Sequence, residues 1–193
     1  EGRVRLYLGY GYEDKDLLAG PDAQQKFLDA FRLSTLPGAE YLANATPVSH
    51  CHSYPNEDSW TDEPFAEGLV LVGDAAGHND PIIGQGLSIT FRDVRMVRDA
   101  LLASDDWSDT AGLFAEYATE RAERLRRLRF AAEISSVVDS EFGPEAEARR
   151  KAVHARRQAD PTLGMATLAV MAGPENAPEF AFTPEMRAKI LEG

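Results

Sequence analysis

The chain has 193 residues, of which 32 are acidic and 20 basic, so its formal net charge is −12. Binding of nucleic acid depends on clustered lysine and arginine, and this charge therefore excludes a duplex-binding protein. With 44% hydrophobic and 27% charged residues, the composition is typical of a globular protein of one or two domains. Its apolar runs are too short to span a membrane and residues 1–12 do not resemble a signal peptide, so we expect a cytoplasmic protein without a membrane segment.

The first 54 residues are predicted to form the end of a sheet and a connecting helix. Apolar and polar side chains alternate over residues 4–10, the period-two pattern of a strand with one buried face. An amphipathic helix is expected to begin at Pro21 and to end near Pro37, and residues 47–54 are predicted to be another strand. Since neither a cap nor a turn precedes the first strand, we expect it to pair with strands encoded upstream in a longer parent protein.

The middle of the chain has the pattern of a strand, a long loop and a long helix. After a predicted loop at residues 60–67, residues 69–72 are wholly apolar, which favours a strand covered on both faces in a parallel sheet. The loop over residues 73–83 is followed by a helix that begins near Gly86. We expect one apolar stripe on that helix, made of Leu87, Phe91, Val94, Val97 and Leu101.

The remainder of the chain is predicted to be helical. Ser108 and Asp109 can cap the start of a helix that carries a stripe of apolar residues as far as Ala132. Further helices are expected at about residues 144–158, 162–172 and 183–192. The elements together favour an α/β fold with a helical C-terminal tail.

The end of the apolar strand carries the residues that best suit a ligand. Gly73 and Asp74 follow the strand directly, and the carboxyl edge of an open α/β sheet is where ligands bind. A carboxylate there accepts hydrogen bonds from hydroxyl groups, as in ribose or ribitol recognition. Pro81 stiffens the loop, whereas Gly84 and Gly86 let the backbone pass close to a flat or anionic group. With the helix N-terminus directed at the same place, residues 73–88 are predicted to seat a polar cofactor.

Other candidate residues favour structural roles. His50, Cys51 and His52 lie on a predicted strand, where alternate side chains point to opposite faces, so we expect no metal site. A structural role is favoured over general-base catalysis for His78. Residues 120–129 contain five arginines and two glutamates at helical spacing, and we interpret them as a solvated helix face with ion pairs between successive turns.

The predicted cofactor segment has the pattern of a known motif. It resembles the second flavin-binding motif of the single-component FAD-dependent monooxygenases, the para-hydroxybenzoate hydroxylase-like group, which reads roughly G-D-A-A-H-x-x-x-P-x-x-G-Q-G-x-N. The spacing agrees throughout. Gly77 stands where histidine is usual and Ser88 where asparagine is usual, and the N-terminal G-x-G-x-x-G fingerprint of the group is absent. The matching segment is Gly73-Asp74-Ala75-Ala76-Gly77-His78-Asn79-Asp80-Pro81-Ile82-Ile83-Gly84-Gln85-Gly86-Leu87-Ser88.

The resemblance implies the C-terminal part of an FAD-binding α/β (Rossmann-like) domain. Residues 1–54 would then be the end of a substrate-domain sheet, residues 55–105 the C-terminal half of the FAD-binding domain, and residues 106–193 the helical tail. It implies that Asp74 holds a ribitol hydroxyl, that Pro81 to Gly86 lie by the isoalloxazine ring, and that the amides of Leu87 and Ser88 face its pyrimidine edge. The implied cofactor-binding residues are Gly73, Asp74, Ala75, Pro81, Gly84, Gln85, Gly86, Leu87 and Ser88.

The resemblance also implies an activity for the parent enzyme. NAD(P)H would reduce FAD, and one atom of dioxygen would pass to a small organic substrate, with an aromatic compound as one option. Catalytic residues and the substrate are not identified by the motif. Two alternatives stay open: a relative that halogenates or reduces double bonds, and a split or truncated half without activity of its own. We expect the isolated chain to be inactive, and to pair with a missing N-terminal half or with itself through its sheet edge.

Overall fold

The computed structural model describes residues 2–192 and separates into two compact units, Glu1–Pro55 and Asn56–Gly193. Within the described residues, no helix is both long and apolar enough to cross a membrane. The identities proposed above for residues 1–54, 55–105 and 106–193 remain predictions.

Among its described residues, the first unit contains two short α-helices and no strand. These helices are α1 (Ala23–Asp29) and α2 (Ala39–Ala43), and Leu28 and Ala43 are their buried apolar residues. α1 ends well before Pro37, where its end was expected. After Asp29 the backbone forms turns instead, with hydrogen bonds between residues three positions apart, such as the 3.0 Å bond from the Arg32 amide to the Asp29 carbonyl. Residues 4–10 and 47–54 do not form the predicted strands: a strand requires a hydrogen-bonded neighbour, and the described backbone of this unit supplies none.

The second unit begins with two antiparallel pairs of very short strands. β1 (Ser59–Trp60) pairs with β4 (Gly77–His78), and β2 (Phe65–Ala66) pairs with β3 (Leu69–Val70). The prediction of a parallel strand at residues 69–72 is therefore wrong, because β3 pairs antiparallel with β2. Gly68, at φ 70°, closes a two-residue turn that folds β3 back on β2, so its partner is its own neighbour in sequence. Leu69 is 53% exposed, which shows that the strand is not covered on both faces.

Five α-helices follow in the second unit as far as residue 192, where the described part of the chain ends, and the sequence predicted each of them. The side chain of Asp109 accepts a hydrogen bond from the Gly112 amide at 2.9 Å, as expected of the cap at this helix start. A short 3₁₀ turn forms the first part of the helix expected at residues 162–172. The helices are α3 (Gly86–Leu102), α4 (Thr110–Ser135, continued by a π-helical turn at Ser136–Ser140), α5 (Pro144–Ala159), α6 (Met165–Ala172) and α7 (Pro184–Leu191).

The central helix α4 organises the core. Near its start, Phe114 and Tyr117 pack with Val97 of α3. Farther along, Leu125 and Leu128 pack against Ile89 of α3. Its last turn contributes Ile134 to a cluster with α5 and α7, whose other buried members are Val138, Val153, Leu163, Met186 and Ile190. A helix of 26 residues is about 39 Å long, which lets α4 support both the strand region and the helical tail.

The buried face of α3 differs from the predicted stripe. Ile89, Asp93 and Val97, spaced four residues apart, are the buried residues of this helix. Leu87 and Phe91 are 72% and 69% exposed, so they lie on the outer surface. Asp93 is the reason for the difference: a stripe defined by apolar residues leaves out this carboxylate, which in the fold is paired and fully buried.

Candidate functional site

The motif turn follows β3 and is built around Gly73. A 3₁₀ turn spans Gly73–Ala76 and packs against α3. Gly73 has φ 55°, and a Cβ placed on it would lie 2.4 Å from the Thr90 hydroxyl oxygen, so the position requires glycine. Gly73 and Ala76 are buried, whereas Asp74 and Ala75 are exposed. The turn therefore presents the Asp74 carboxylate on the surface while its own backbone is held inside.

Gly77 ends the turn and explains one departure from the family pattern. Its φ is 123°, and a Cβ there would lie 2.3 Å from the Cα of Trp60 and 2.6 Å from the Ser59 carbonyl oxygen. Both atoms belong to the backbone of β1, which pairs with Gly77 and His78. A histidine at position 77 cannot be accommodated in this geometry, and the histidine of this chain occupies the next position.

The loop between β4 and α3 is shaped by two carboxylates. The Asp80 side chain accepts a hydrogen bond from the Ile82 amide at 2.9 Å and so caps a 3₁₀ turn at Pro81–Ile83. The Asp80 amide donates in turn to the side chain of Asp58, also at 2.9 Å. Gly84 then takes a left-handed conformation with φ 65°, which directs the chain into α3. These contacts place the glycine-rich segment directly before the helix.

The N-terminus of α3 completes the candidate site. The Ile89 amide makes the first helical bond, to the Gln85 carbonyl at 2.9 Å. The amides of Gly86, Leu87 and Ser88 belong to the first turn, where helix geometry provides no acceptor within the helix. The partial positive charge of a 17-residue helix is therefore concentrated beside Gly86.

Most of the sequence-predicted site residues are available to a ligand. Gly73 is buried, and Gln85, the residue directly before α3, is partly buried. The other predicted residues are exposed: Asp74, Ala75, Pro81, Gly84, Gly86, Leu87 and Ser88. His78 is exposed as well, and among residues 2–192 no cluster of three or more His, Cys, Asp or Glu side chains could hold a metal ion.

A buried ionic cluster lies behind the motif turn, and sequence reasoning missed it. Asp93 is fully buried and accepts hydrogen bonds from Arg121 Nε at 3.0 Å and from Arg124 Nη2 at 2.6 Å. The two arginines are only 3% and 5% exposed. The interpretation of residues 120–129 as a solvated face is therefore wrong for these two positions. An acidic residue on the buried stripe of α3, opposite arginines on α4, was the signal that could have revealed it.

The cluster extends outward until its charges balance. The Glu120 carboxylate accepts from Arg124 Nε at 3.1 Å and from Arg92 at 2.6 Å, and Arg92 also pairs with Glu175 at 2.6 Å. Three carboxylates and three guanidinium groups thus form one connected network. Because buried charges are tolerated only when they are paired, this balance is what allows Asp93, Arg121 and Arg124 to lie inside the protein.

Tyr117 supports the strand that leads into the motif. Its hydroxyl donates a 2.7 Å hydrogen bond to the carbonyl of Leu71, two residues before Gly73. Burial, reinforced by the nearby negative charge of Asp93, raises the pKa of Tyr117 above its usual value. The hydroxyl consequently keeps its proton and remains a donor to the Leu71 carbonyl.

A second aromatic residue is fixed by an arginine of α4. The Arg129 guanidinium lies over the Trp60 ring, 3.6 Å from its centroid, in a cation–π contact. Burial lowers the pKa of Arg129, an effect opposed by the charges of Asp58 and Asp62. The contact anchors β1, and through its pairing with β4 it also holds Gly77.

The chemistry of residues 73–88 suits a flavin nucleotide. Asp74 offers an exposed carboxylate to hydroxyl groups such as those of a ribityl chain. No heavy atom lies within 4 Å of the place where a Cβ on Gly84 or Gly86 would stand, so a flat group can approach the backbone there. The first turn of α3 offers amide donors to an electronegative ring edge. These donors and acceptors are compatible with FAD.

Comparison with known proteins gives the family. The family model for squalene epoxidase matches residues 32–134, more than half of the chain, and the chain belongs to this family of FAD-dependent monooxygenases. It is also similar to ubiquinone hydroxylase UbiL of Rhodospirillum rubrum, with 33% identity over 126 residues that cover 63% of this chain. The match spans 29% of the length of that relative. No solved structure matches the chain.

Proposed function

We propose that this chain provides the ribityl and ring side of an FAD site in a monooxygenase that uses NAD(P)H and dioxygen. The observation that carries the proposal is the motif turn, which exposes Asp74 while Gly73 and Ala76 are buried. The spacing of the motif, similar to that of para-hydroxybenzoate hydroxylase-like enzymes, supports it. Family membership supports the monooxygenase class.

Each part of the segment has a proposed task. The Asp74 carboxylate accepts hydrogen bonds from ribityl hydroxyls, and the backbone from Pro81 to Gly86 lies along the flavin ring. The amides of Leu87 and Ser88 donate to the pyrimidine edge. Bound FAD supplies the redox chemistry, and the residues of the chain bind it, orient it and limit the access of water.

The proposed substrate is an organic molecule of the kind that the relatives' names state. Those names refer to squalene and to ubiquinone. Hydroxylation or epoxidation of such a compound is therefore the reaction we propose for the whole protein. A direct test is oxidation of NADPH or NADH in the presence of FAD and either compound, followed by mass analysis for the addition of one oxygen atom.

We further propose that a complementary polypeptide segment covers the exposed side of this site. Leu87, Phe91 and Val94 of α3 are large apolar residues that are 72%, 69% and 48% exposed, and they lie beside the candidate site. The segment would carry the G-x-G-x-x-G fingerprint for the dinucleotide end of FAD, whether it belongs to the same polypeptide or to a second one.

Measurements of molar mass in solution, FAD binding and turnover together test whether the site needs this covering segment. A protein of 193 residues that remains monomeric, turns over substrate and binds FAD tightly would contradict it. FAD binding or turnover that appears only when a fingerprint-bearing segment is supplied would support it. Stable dimers with FAD activity and no such segment would instead favour self-association.

A further inference from the structure

We propose that Arg121 is a positioning residue for the flavin site, one that holds the motif turn so that Asp74 faces outward. The inference rests on the proposed function and adds to it a residue that lies 47 positions after Asp74 in the sequence. Arg121 does not lie on the exposed surface of the site and acts through the backbone of the turn.

The guanidinium of Arg121 binds the motif turn at three backbone carbonyls. Its Nη2 donates to the carbonyls of Gly73 and Gly77 at 3.2 and 3.3 Å, and its Nη1 donates to that of Ala76 at 3.2 Å. One planar group thus joins both ends of the turn. Asp74 and Ala75, which Arg121 does not contact through these bonds, are the exposed residues.

Asp93 fixes the guanidinium and the turn to each other. Its Oδ2 atom accepts from Arg121 Nε at 3.0 Å and from the Gly73 amide at 2.9 Å. The amide and the carbonyl of Gly73 are therefore both held by one buried ion pair. Asp93 belongs to α3, whose first turn forms the other half of the candidate site, so the same pair sets the position of the turn relative to that helix.

Arg124 provides a matched control within the same network. It too is buried and paired with Asp93, but its other bonds go to Glu120 and none of them reaches the motif turn. Lysine at either position retains the positive charge and can still pair with Asp93. Only Arg121→Lys removes the fork that reaches three carbonyls, since a lysine ammonium is a point charge.

The experiment compares FAD affinity and thermal stability in Arg121→Lys, Arg124→Lys and Asp74→Ala variants of the full-length protein. Titration of the apoprotein with FAD gives the dissociation constant, and visible circular dichroism of the bound flavin reports its surroundings. We expect Arg121→Lys to raise the FAD dissociation constant about tenfold or more and to alter the flavin spectrum, because hydrogen bonds to a charged group are lost. Arg124→Lys should change the FAD dissociation constant by less than about twofold, although it lowers the melting temperature about as much as Arg121→Lys does.

Several results would overturn the proposal. Equal weakening of FAD binding by both lysine variants would mean that the network is merely structural. Unchanged affinity in Arg121→Lys, with weaker binding in Asp74→Ala, would reject the positioning role and leave the FAD site intact. Absence of FAD binding by the wild-type protein would reject the proposed function, and the role of Arg121 with it.

Asp93→Asn decides the matter if Arg121→Lys does not fold. An asparagine oxygen can still accept from the Gly73 amide but no longer carries the charge that holds Arg121. We expect folded Asp93→Asn protein to bind FAD about fivefold more weakly than the wild type. An unchanged dissociation constant in folded Asp93→Asn would reject the proposal.

Discussion

Substitution of Gly77 by alanine tests how tightly the motif turn is packed against β1. At φ 123°, an L-residue is strained by about 1–2 kcal/mol. The new Cβ would also lie 2.3 Å from the Cα of Trp60, a backbone atom that cannot rotate away. β1 and β4 must therefore separate, which disrupts their two paired residues and the 3.3 Å bond from the Thr61 amide to the Ala76 carbonyl. The lost strand pairing and the lost Thr61 bond together cost roughly 2–3 kcal/mol, at about 1 kcal/mol for each hydrogen bond. Added to the strain, the total destabilisation is about 3–5 kcal/mol.

Gly143→Ala is the control that separates strain from collision. Gly143 also has a positive φ, of 98°, but no heavy atom lies within 4 Å of the place for its Cβ. We expect this variant to lose only the strain, about 1–2 kcal/mol. Urea unfolding curves of equal slope give both free energies of unfolding. Equal destabilisation by the two variants would refute the packing argument for Gly77.

Three further predictions concern the support of the turn and of the helical tail. Tyr117→Phe should lower the free energy of unfolding by about 1–2 kcal/mol, because it removes the donor of the partly buried Leu71 carbonyl; urea unfolding measures the loss. Phe114→Ala, in the core between α3 and α4, should lower it by about 3–5 kcal/mol by the same measurement. The hydrogen bond from Arg126 is the main cause that lowers the pKa of Glu123 from 4.5 to about 2, so Glu123 stabilises the fold above pH 4.5. That modest contribution should disappear as the pH falls from 4.5 towards 2, and a Glu123→Gln variant should lack the corresponding pH dependence of unfolding.

The helices of the second unit could be predicted because their signals are local. Asp109 caps α4 through a contact three residues away, and Pro144 and Pro184 begin α5 and α7. Each signal lies within a few residues of the boundary that it sets. The start of α3 at Gly86 was predicted for the same reason, since the motif glycines immediately precede it.

The strands could not be predicted because pairing is decided by distant or neighbouring backbone rather than by the segment itself. Residues 69–72 have the composition of a covered parallel strand, yet the turn at Gly68 gives them an antiparallel partner. Residues 4–10 alternate as a strand does, but the described residues of the first unit offer them no partner. Alternation thus indicates which face of a strand could be buried, but it does not identify the backbone segment with which that strand pairs.

The motif residues could be singled out from the sequence, whereas the charged residues that support the motif turn were missed. The motif gave Asp74 and Gly84, whose exposure follows from the turns that carry them. Arg121 and Arg124 were assigned to solvent because each is charged, and a pattern along one helix cannot show the opposite charge of Asp93 on another. Only the packing of α3 on α4 brings these charges together.

Titration of the full-length protein with FAD, comparing wild type with Asp74→Ala, tests whether the motif turn binds the flavin through this carboxylate. Asp105→Ala is the matched control, because it removes the same charge from an exposed position in another loop. We expect saturable binding by wild type and by Asp105→Ala, and binding weaker by about 1–3 kcal/mol in Asp74→Ala, where hydroxyl groups lose their acceptor. Equal FAD affinity in all three proteins, or no binding by the wild type, would contradict it.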